Sequence, residues 1–194
     1  MAFRERDLLE GLRGRDPAAI REVVDQQGRR IFRAARGLGF SPSDAEDLAQ
    51  EVFLTFLETL DRFEGRSAVG TWLFGILHHK AQERRRSHAR EDSTDALEEA
   101  FEKRFDANGS WLRPPVDADR LVESRETGEA LRDCLAGLPA QQREVFQLRQ
   151  VEDLSATDVA RIVGGTTNHV GVLLHRARVR LRACLDGKGV GRSR

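Results

Sequence analysis

From Ser41 to Leu60 the apolar residues Ala45, Leu48, Ala49, Val52, Phe53, Phe56, Leu57 and Leu60 recur in steps of three and four. That spacing draws one continuous stripe along a helix and cannot form one face of a strand. The start of the helix is marked. Ser41 stands at the cap position, Pro42 suits the first helical turn because its missing N–H costs nothing there, and Asp44 follows three residues after the cap. Asp47, Gln50, Glu51 and Glu58 fall off the apolar stripe, mostly on polar faces.

The same period runs through most of the chain. Ile20, Val23, Val24, Ile31, Phe32, Ala35 and Leu38 predict one or two helices upstream, ended by Gly37 and Gly39. Downstream, the turn-rich stretch 61–70 opens into a helix that starts aromatic and apolar (Thr71, Trp72, Leu73, Phe74) and ends basic. No convincing period-two alternation occurs, so the expected fold class is all-α, with residues 1–90 as one helical domain. Residues 91–125 have weak periodicity, an Asn108-Gly109 pair and a Pro114-Pro115 pair, and read as an extended linker with a short helix near 97–105. Trp111 and Leu112 make the end of that linker too apolar for a pure spacer.

A second helical unit is expected over 126–186, followed by a basic tail, 187–194. Ala130, Leu131, Cys134, Leu135 and Leu138 make its first stripe, ended by Pro139, and Val145, Phe146 and Leu148 belong to the next helix. Ser155 and Asp158 then form a capping box, with Leu154 and Val159 as its hydrophobic staple. That helix stops at Gly164-Gly165, and another begins near Thr167.

Charge narrows the possible functions. The chain has 194 residues, with 32 Lys plus Arg against 32 Asp plus Glu. The net of zero hides blocks. Residues 80–90 carry five bases and one acid, 91–106 seven acids and two bases, and 164–194 seven bases and one acid. Local potential, not the total, governs nucleic-acid binding, so a neutral sum does not argue against it. No run approaches the ~20 apolar residues of a membrane span. The start of the chain has no apolar run of signal-peptide length, so a soluble cytoplasmic protein is expected. Cys134 and Cys184, far apart in sequence, suggest neither a disulfide framework nor zinc-ligand spacing and read as buried free thiols. No nucleophile–base set, phosphate-binding glycine loop or metal-spaced cluster is present, so neither an enzyme nor a cofactor is expected.

Two short helices around a Gly-containing turn, the second with a basic tail, describe a helix-turn-helix. Thr166, Thr167, Asn168 and His169 stand at the N-terminus of the second helix, where side chains reach base edges, and Arg176 and Arg178 follow for phosphates. In the first domain, Phe63, Trp72 and Phe74 precede a Lys/Arg cluster. Aromatics offer stacking faces to unpaired bases and cations neutralise the strand. From these residues alone two readings stand: a protein that grips separated strands as well as duplex, and an ordinary duplex-binding regulator whose first domain is a sensor.

At this point the chain resembles a known family. Asp44-Ala45-Glu46-Asp47-Leu48-Ala49-Gln50-Glu51-Val52-Phe53, Phe63-Glu64-Gly65-Arg66-Ser67 and Thr71-Trp72-Leu73 stand in the first domain. Leu138-Pro139, Gln142-Arg143-Glu144-Val145-Phe146 and His175-Arg176-Ala177-Arg178 stand in the second. In this order and spacing they resemble the extracytoplasmic-function (ECF) sigma factors of the bacterial sigma-70 family, over about 20–90 and 126–185. The resemblance implies a non-catalytic specificity subunit that binds RNA polymerase core and directs promoter-specific initiation, with a cognate anti-sigma factor as a further partner. It implies that Asp47, Gln50 and Glu51 meet the clamp helices of the large polymerase subunit. Phe63, Arg66, Ser67, Thr71, Trp72 and His79, with Lys80, Arg84, Arg85 and Arg86, would open and hold the minus-ten element. Thr166, Thr167, Asn168, His169, His175, Arg176 and Arg178 would read the minus-thirty-five element, in a domain that also touches the polymerase flap. The acidic linker matches the segment threaded through the RNA exit path. Two departures stand out: His79 where many relatives have Asn, and Gly171-Val172-Leu173 where many carry a Lys-Ser-Arg-like triplet.

Overall fold

The computed structural model describes residues 5–88 and 125–189, and the regular elements among them are all helical. The N-terminal part is α1 (Glu5–Arg13), α2 (Pro17–Gly37), α3 (Pro42–Thr59), a single 3₁₀ turn (Leu60–Arg62) and α4 (Val69–His88). The C-terminal part is α5 (Arg125–Ala136), α6 (Ala140–Phe146), a π-helical turn (Gln147–Val151), α7 (Ala156–Val163) and α8 (Thr167–Gly187). The short helix expected near 97–105 and the Trp111–Pro115 stretch lie outside the described residues.

Helix starts follow local chemistry. Asp16 Oδ1 accepts from Ala18 N at 3.0 Å and Pro17 opens α2. Ser41 Oγ accepts from Asp44 N at 3.1 Å, and Ser155 Oγ from Asp158 N at 3.0 Å. In both of these caps the serine hydroxyl in turn donates to the aspartate carboxylate, at 2.5 and 2.7 Å. The carboxylate therefore bonds the capping hydroxyl instead of reaching back to its backbone N–H. Gly164, at φ +73°, closes α7 in the left-handed region, where a Cβ is strained.

Helix α3 is the axis of the N-terminal part. It packs against both α2 and α4, which also touch each other. The face it buries is the predicted stripe: Ala45, Leu48, Val52 and Phe56 are fully enclosed. They meet Val23, Ile31, Ala34 and Ala35 of α2 and Leu73, Phe74, Leu77 and Ala81 of α4.

The core does not stop at the linker. The same apolar cluster continues into Val145, Leu148, Val159, Ala160, Ile162, Val170 and Leu173 of the C-terminal part. A second, smaller cluster gathers Cys134, Leu138, Ala177, Leu181 and Leu185 between α5 and α8. The two parts also meet through buried polar groups. His78 Nδ1 lies 2.7 Å from Glu144 Oε1, and both side chains are buried. The Gln82 amide donates to the other ring nitrogen at 3.1 Å, which leaves the Nδ1 proton for Glu144. Arg30 pairs with Glu152 at 3.2 Å across the same junction, while Arg85 donates to the Leu38 carbonyl within the N-terminal part at 3.0 Å. Arg143 seats its guanidinium over Gly39, whose φ of +96° and missing side chain leave the room.

The expectation of free thiols is overturned. Cys134 and Cys184 form a disulfide, with Cα atoms 5.8 Å apart and 50 residues between them in sequence. Sequence distance carries no information here. Helices α5 and α8 lie side by side, and both cysteines sit on the apolar stripes that bring them together.

Candidate nucleic-acid and polymerase interface

Three surfaces carry the residues singled out from sequence. The first is the exposed side of α3. Asp47 and Gln50 are exposed and Glu51 is half-buried. Glu51 accepts from Arg84 at 2.6 Å, and Arg84 also donates to the Asp44 carbonyl at 3.2 Å. Leu54, 60% exposed, stands one helical turn beyond Gln50 and one before Glu58. Sequence reading passed over it. Its only signal is an apolar residue on the polar side of an otherwise clean stripe, the kind of exposed anchor that protein interfaces favour.

The second surface is the loop from 61 to 72. Phe63 stacks on Trp72 with centroids 4.5 Å apart and planes 8° from parallel. Trp72 meets Phe56 edge-on at 5.4 Å. Phe63 and Thr71 are buried and Trp72 is half-buried, so one aromatic face is spent on holding the other ring in place. Phe74 is core. Arg66 and Ser67 line a cavity of about 280 Å³ with Gly65, Ala68, Val69, Leu8 and Leu9. The wall from α1 was not foreseen. Arg13 ties α1 to the loop by donating to the Glu64 carbonyl at 3.2 Å, and Arg15 pairs with Asp61 at 2.9 Å.

The basic end of α4 is less uniform than its sequence suggested. His79 and Arg86 are exposed, and Lys80 lies 3.6 Å from Glu83. Arg84 is held by α3. Arg85 points into the junction, with Glu144 at 3.9 Å and the Phe40 ring under the guanidinium at 5.6 Å. Burial lowers the pKa of Arg85, partly offset by Glu144; burial and then the charge of Arg85 lower that of Arg143. Two cations thus share one desolvated pocket beside a single carboxylate.

The third surface is the helix-turn-helix of α7 and α8. Thr166 is the N-cap of α8, its hydroxyl oxygen accepting from His169 N at 3.1 Å. That bond occupies one lone pair and leaves its O–H to donate. Thr167, Asn168, His169 and His175 are exposed, Arg176 is half-buried, and Arg178 donates to Gln150 Oε1 at 2.5 Å. Within the departing triplet, Leu173 is core while Gly171 and Val172 face outward. Asn168, Gly171, Val172 and His175 therefore form one exposed row at steps of three and four. Val172 adds an apolar group to that row, of the sort that reads a thymine methyl.

Among the described residues no group of three or more His, Cys, Asp or Glu side chains is placed to hold a metal, and no helix is long and apolar enough to cross a membrane.

Comparison with known proteins identifies two family regions in the chain. Residues 23–91 match the model of Sigma-70 region 2, and residues 128–181 match that of Sigma-70 region 4. The chain is 33% identical over 172 residues to the ECF RNA polymerase sigma factor SigD of Mycobacterium tuberculosis, spanning 86% of this chain and 77% of that protein. It is 33% identical over 180 residues to the RNA polymerase sigma factor YlaC of Bacillus subtilis, with 93% of each covered. Among solved structures, CnrH in complex with the cytosolic domain of CnrY superposes with a TM-score of 0.67 at 22% identity, covering 94% of this chain and 97% of that one, which is a likeness of fold. Two family regions in the expected order, and relatives aligned along most of their length, place this chain in the sigma-70 family as an ECF RNA polymerase sigma factor.

Proposed function

We propose that this sigma factor divides its work between the two parts described above and has no catalytic site of its own. Residues 1–90 dock on the clamp helices of the large polymerase subunit through Asp47, Gln50 and Glu51, with Leu54 as the apolar anchor. The same domain opens the minus-ten element. Trp72, braced by Phe63, stacks on an unpaired base, and the cavity beside Arg66 and Ser67 is roomy enough for a base turned out of the helix. Flipping a base costs a few kcal/mol, which stacking and enclosure must offset. Thr71 is buried beneath this site and positions it. Lys80, Arg84, Arg85 and Arg86, with His79, hold the strand backbone. Arg84 and Arg85 do so only after exchanging their present carboxylate partners for phosphates.

Residues 126–186 read the minus-thirty-five duplex with Thr166, Thr167, Asn168, His169 and His175 at base edges and Arg176 and Arg178 on phosphates, and they touch the polymerase flap. The acidic linker, 91–125, follows the RNA exit path. The partners are thus core polymerase and promoter DNA in the cytoplasm, with an anti-sigma factor as regulator. One solved complex supports that last partner by its description: the sigma factor RpoE bound to the anti-sigma factor NepR from Bartonella quintana.

One observation carries the reading: a stacked Phe63–Trp72 pair, with residues 65–69 of the loop between them lining a cavity, occurs in the same chain as a helix whose N-terminal residues are exposed. A regulator of intact duplex has no use for the first. Transcription in vitro with purified core enzyme on a genomic promoter library tests it. Specific products that appear only when this protein is added are expected. Tight duplex binding without core, and no change in products, would favour the regulator.

A further inference from the structure

We propose that Cys134 and Cys184 form a thiol–disulfide exchange site that sets how firmly the duplex-reading helix is held. The inference rests on the reading of this chain as a polymerase subunit, because that work is done where small thiols keep cysteines reduced. A disulfide in such a compartment is characteristically transient and responsive.

Its placement gives the bond leverage. It joins the first helix of the C-terminal part, α5, to the last, α8. The first half of α8 rests on the large cluster through Val170 and Leu173. Its second half rests on the small one: Ala177, Leu181 and Leu185 against Cys134 and Leu138, with partly buried neighbours around them. Beyond that patch, α5 is tied to the end of α8 by the disulfide and by Lys188–Asp133 at 2.8 Å, an ion pair exposed to solvent and so of little weight. Arg176 and Arg178 lie at the boundary between the two halves. When α5 loosens, the turns that fix their direction loosen with it.

The two sulfurs are not equivalent. Cys134 is buried at 3% exposure while Cys184 is half-buried. A small thiol of the glutathione class therefore attacks Cys184 Sγ as the thiolate. The S–S bond breaks, the electron pair leaves on Cys134 Sγ, and a mixed disulfide remains on Cys184. A second thiolate attacks the outer sulfur of that mixed disulfide and releases Cys184 as a thiolate. The protein disulfide and two small thiols thus give two protein thiols and one small-molecule disulfide. Oxidation of the thiol pool drives the same steps backward. The oxidised form holds α8 for DNA; the reduced form holds it less well.

The test uses the full-length chain, oxidised with glutathione disulfide or reduced with dithiothreitol, with thiols counted by alkylation and mass spectrometry. Amide hydrogen exchange over 128–136 and 177–187 is read in each state, alongside affinity for a duplex selected from a random pool by the oxidised protein, and for core polymerase. Reduction is expected to speed exchange in α5 by about tenfold or more and to weaken duplex binding severalfold, with core binding unchanged and both effects reversed on reoxidation. Cys134→Ser and Cys184→Ser should match the reduced protein whatever the oxidant. Two alkylatable thiols surviving the oxidant, or equal exchange in both states, would overturn the proposal. So would faster exchange in α5 with unaltered duplex affinity. Should exchange respond while neither form binds core or DNA, the staple stands and the reading of this chain as a polymerase subunit fails instead.

Discussion

Trp72 shows how one side chain can be both structural and partly open to solvent. Phe63 stacks on one face and Phe56 meets the ring at a 65° angle, which fixes Trp72 while leaving it only half-buried. Trp72→Ala should therefore cut promoter opening, followed by permanganate reactivity of unpaired thymines, far more than it cuts duplex binding. Equal loss of both, or a collapse of the thermal transition, would return Trp72 to the core. A second residue-scale expectation concerns Ser155, whose hydroxyl oxygen satisfies the Asp158 N–H. Ser155→Ala should lower stability by about 1 kcal/mol in denaturant titration, the usual cost of losing a cap. Gly164 is a backbone case: at φ +73° an added Cβ meets no neighbour yet strains the chain. Gly164→Ala should cost roughly 1 kcal/mol through conformation alone.

Helices behave as units, and α8 is the element whose two ends do different things. Its N-terminal row of Asn168, Gly171, Val172 and His175 faces outward, and Arg178 lies further along, bonded to Gln150. Replacing Arg176 and Arg178 together by Ala should weaken duplex binding uniformly across sequences. The slope of log affinity against log salt should fall by about one unit for each phosphate that is no longer neutralised, as measured by a salt titration. An unchanged slope would show that neither arginine neutralises phosphate. Val172→Ala should instead alter preference among sequences and leave that slope alone. Helix α4 teaches the opposite lesson. Its Lys/Arg cluster reads as one group in sequence, but Arg84 is bonded to α3 while Arg85 donates to the Leu38 carbonyl and faces Glu144 across the junction. Helical periodicity turns adjacent residues about 100° apart, so a run in sequence spreads over different faces.

At the scale of the whole molecule, the junction between the two parts is unusual for a core because so much of it is polar. Glu144 is central, facing His78 and Arg85 with Arg143 close by, all substantially desolvated. Removing one partner of a buried, hydrogen-bonded set leaves the others unpaired, which costs on the order of 2–4 kcal/mol. Glu144→Ala should therefore separate the two parts while each keeps its helices. Small-angle scattering should show a larger radius of gyration with the far-ultraviolet circular dichroism little changed. A compact particle with an unaltered thermal transition would show that apolar packing alone closes the junction.

The helices, their caps and their buried stripes were legible in the amino-acid order because each depends on residues three or four apart. Ser41, Ser155 and Gly164 act within one turn, and the stripe from Ala45 to Phe56 is buried as its spacing implies. The family motifs were legible for the same reason, as short fixed phrases. Which stripes meet is a different matter. The disulfide between Cys134 and Cys184, the pairing of His78 with Glu144 and the cavity wall supplied by Leu8 and Leu9 join residues from 50 to 66 positions apart in sequence. Such pairings form only when whole helices pack, because packing must bury several stripes at once and no local pattern records which partner each stripe finds.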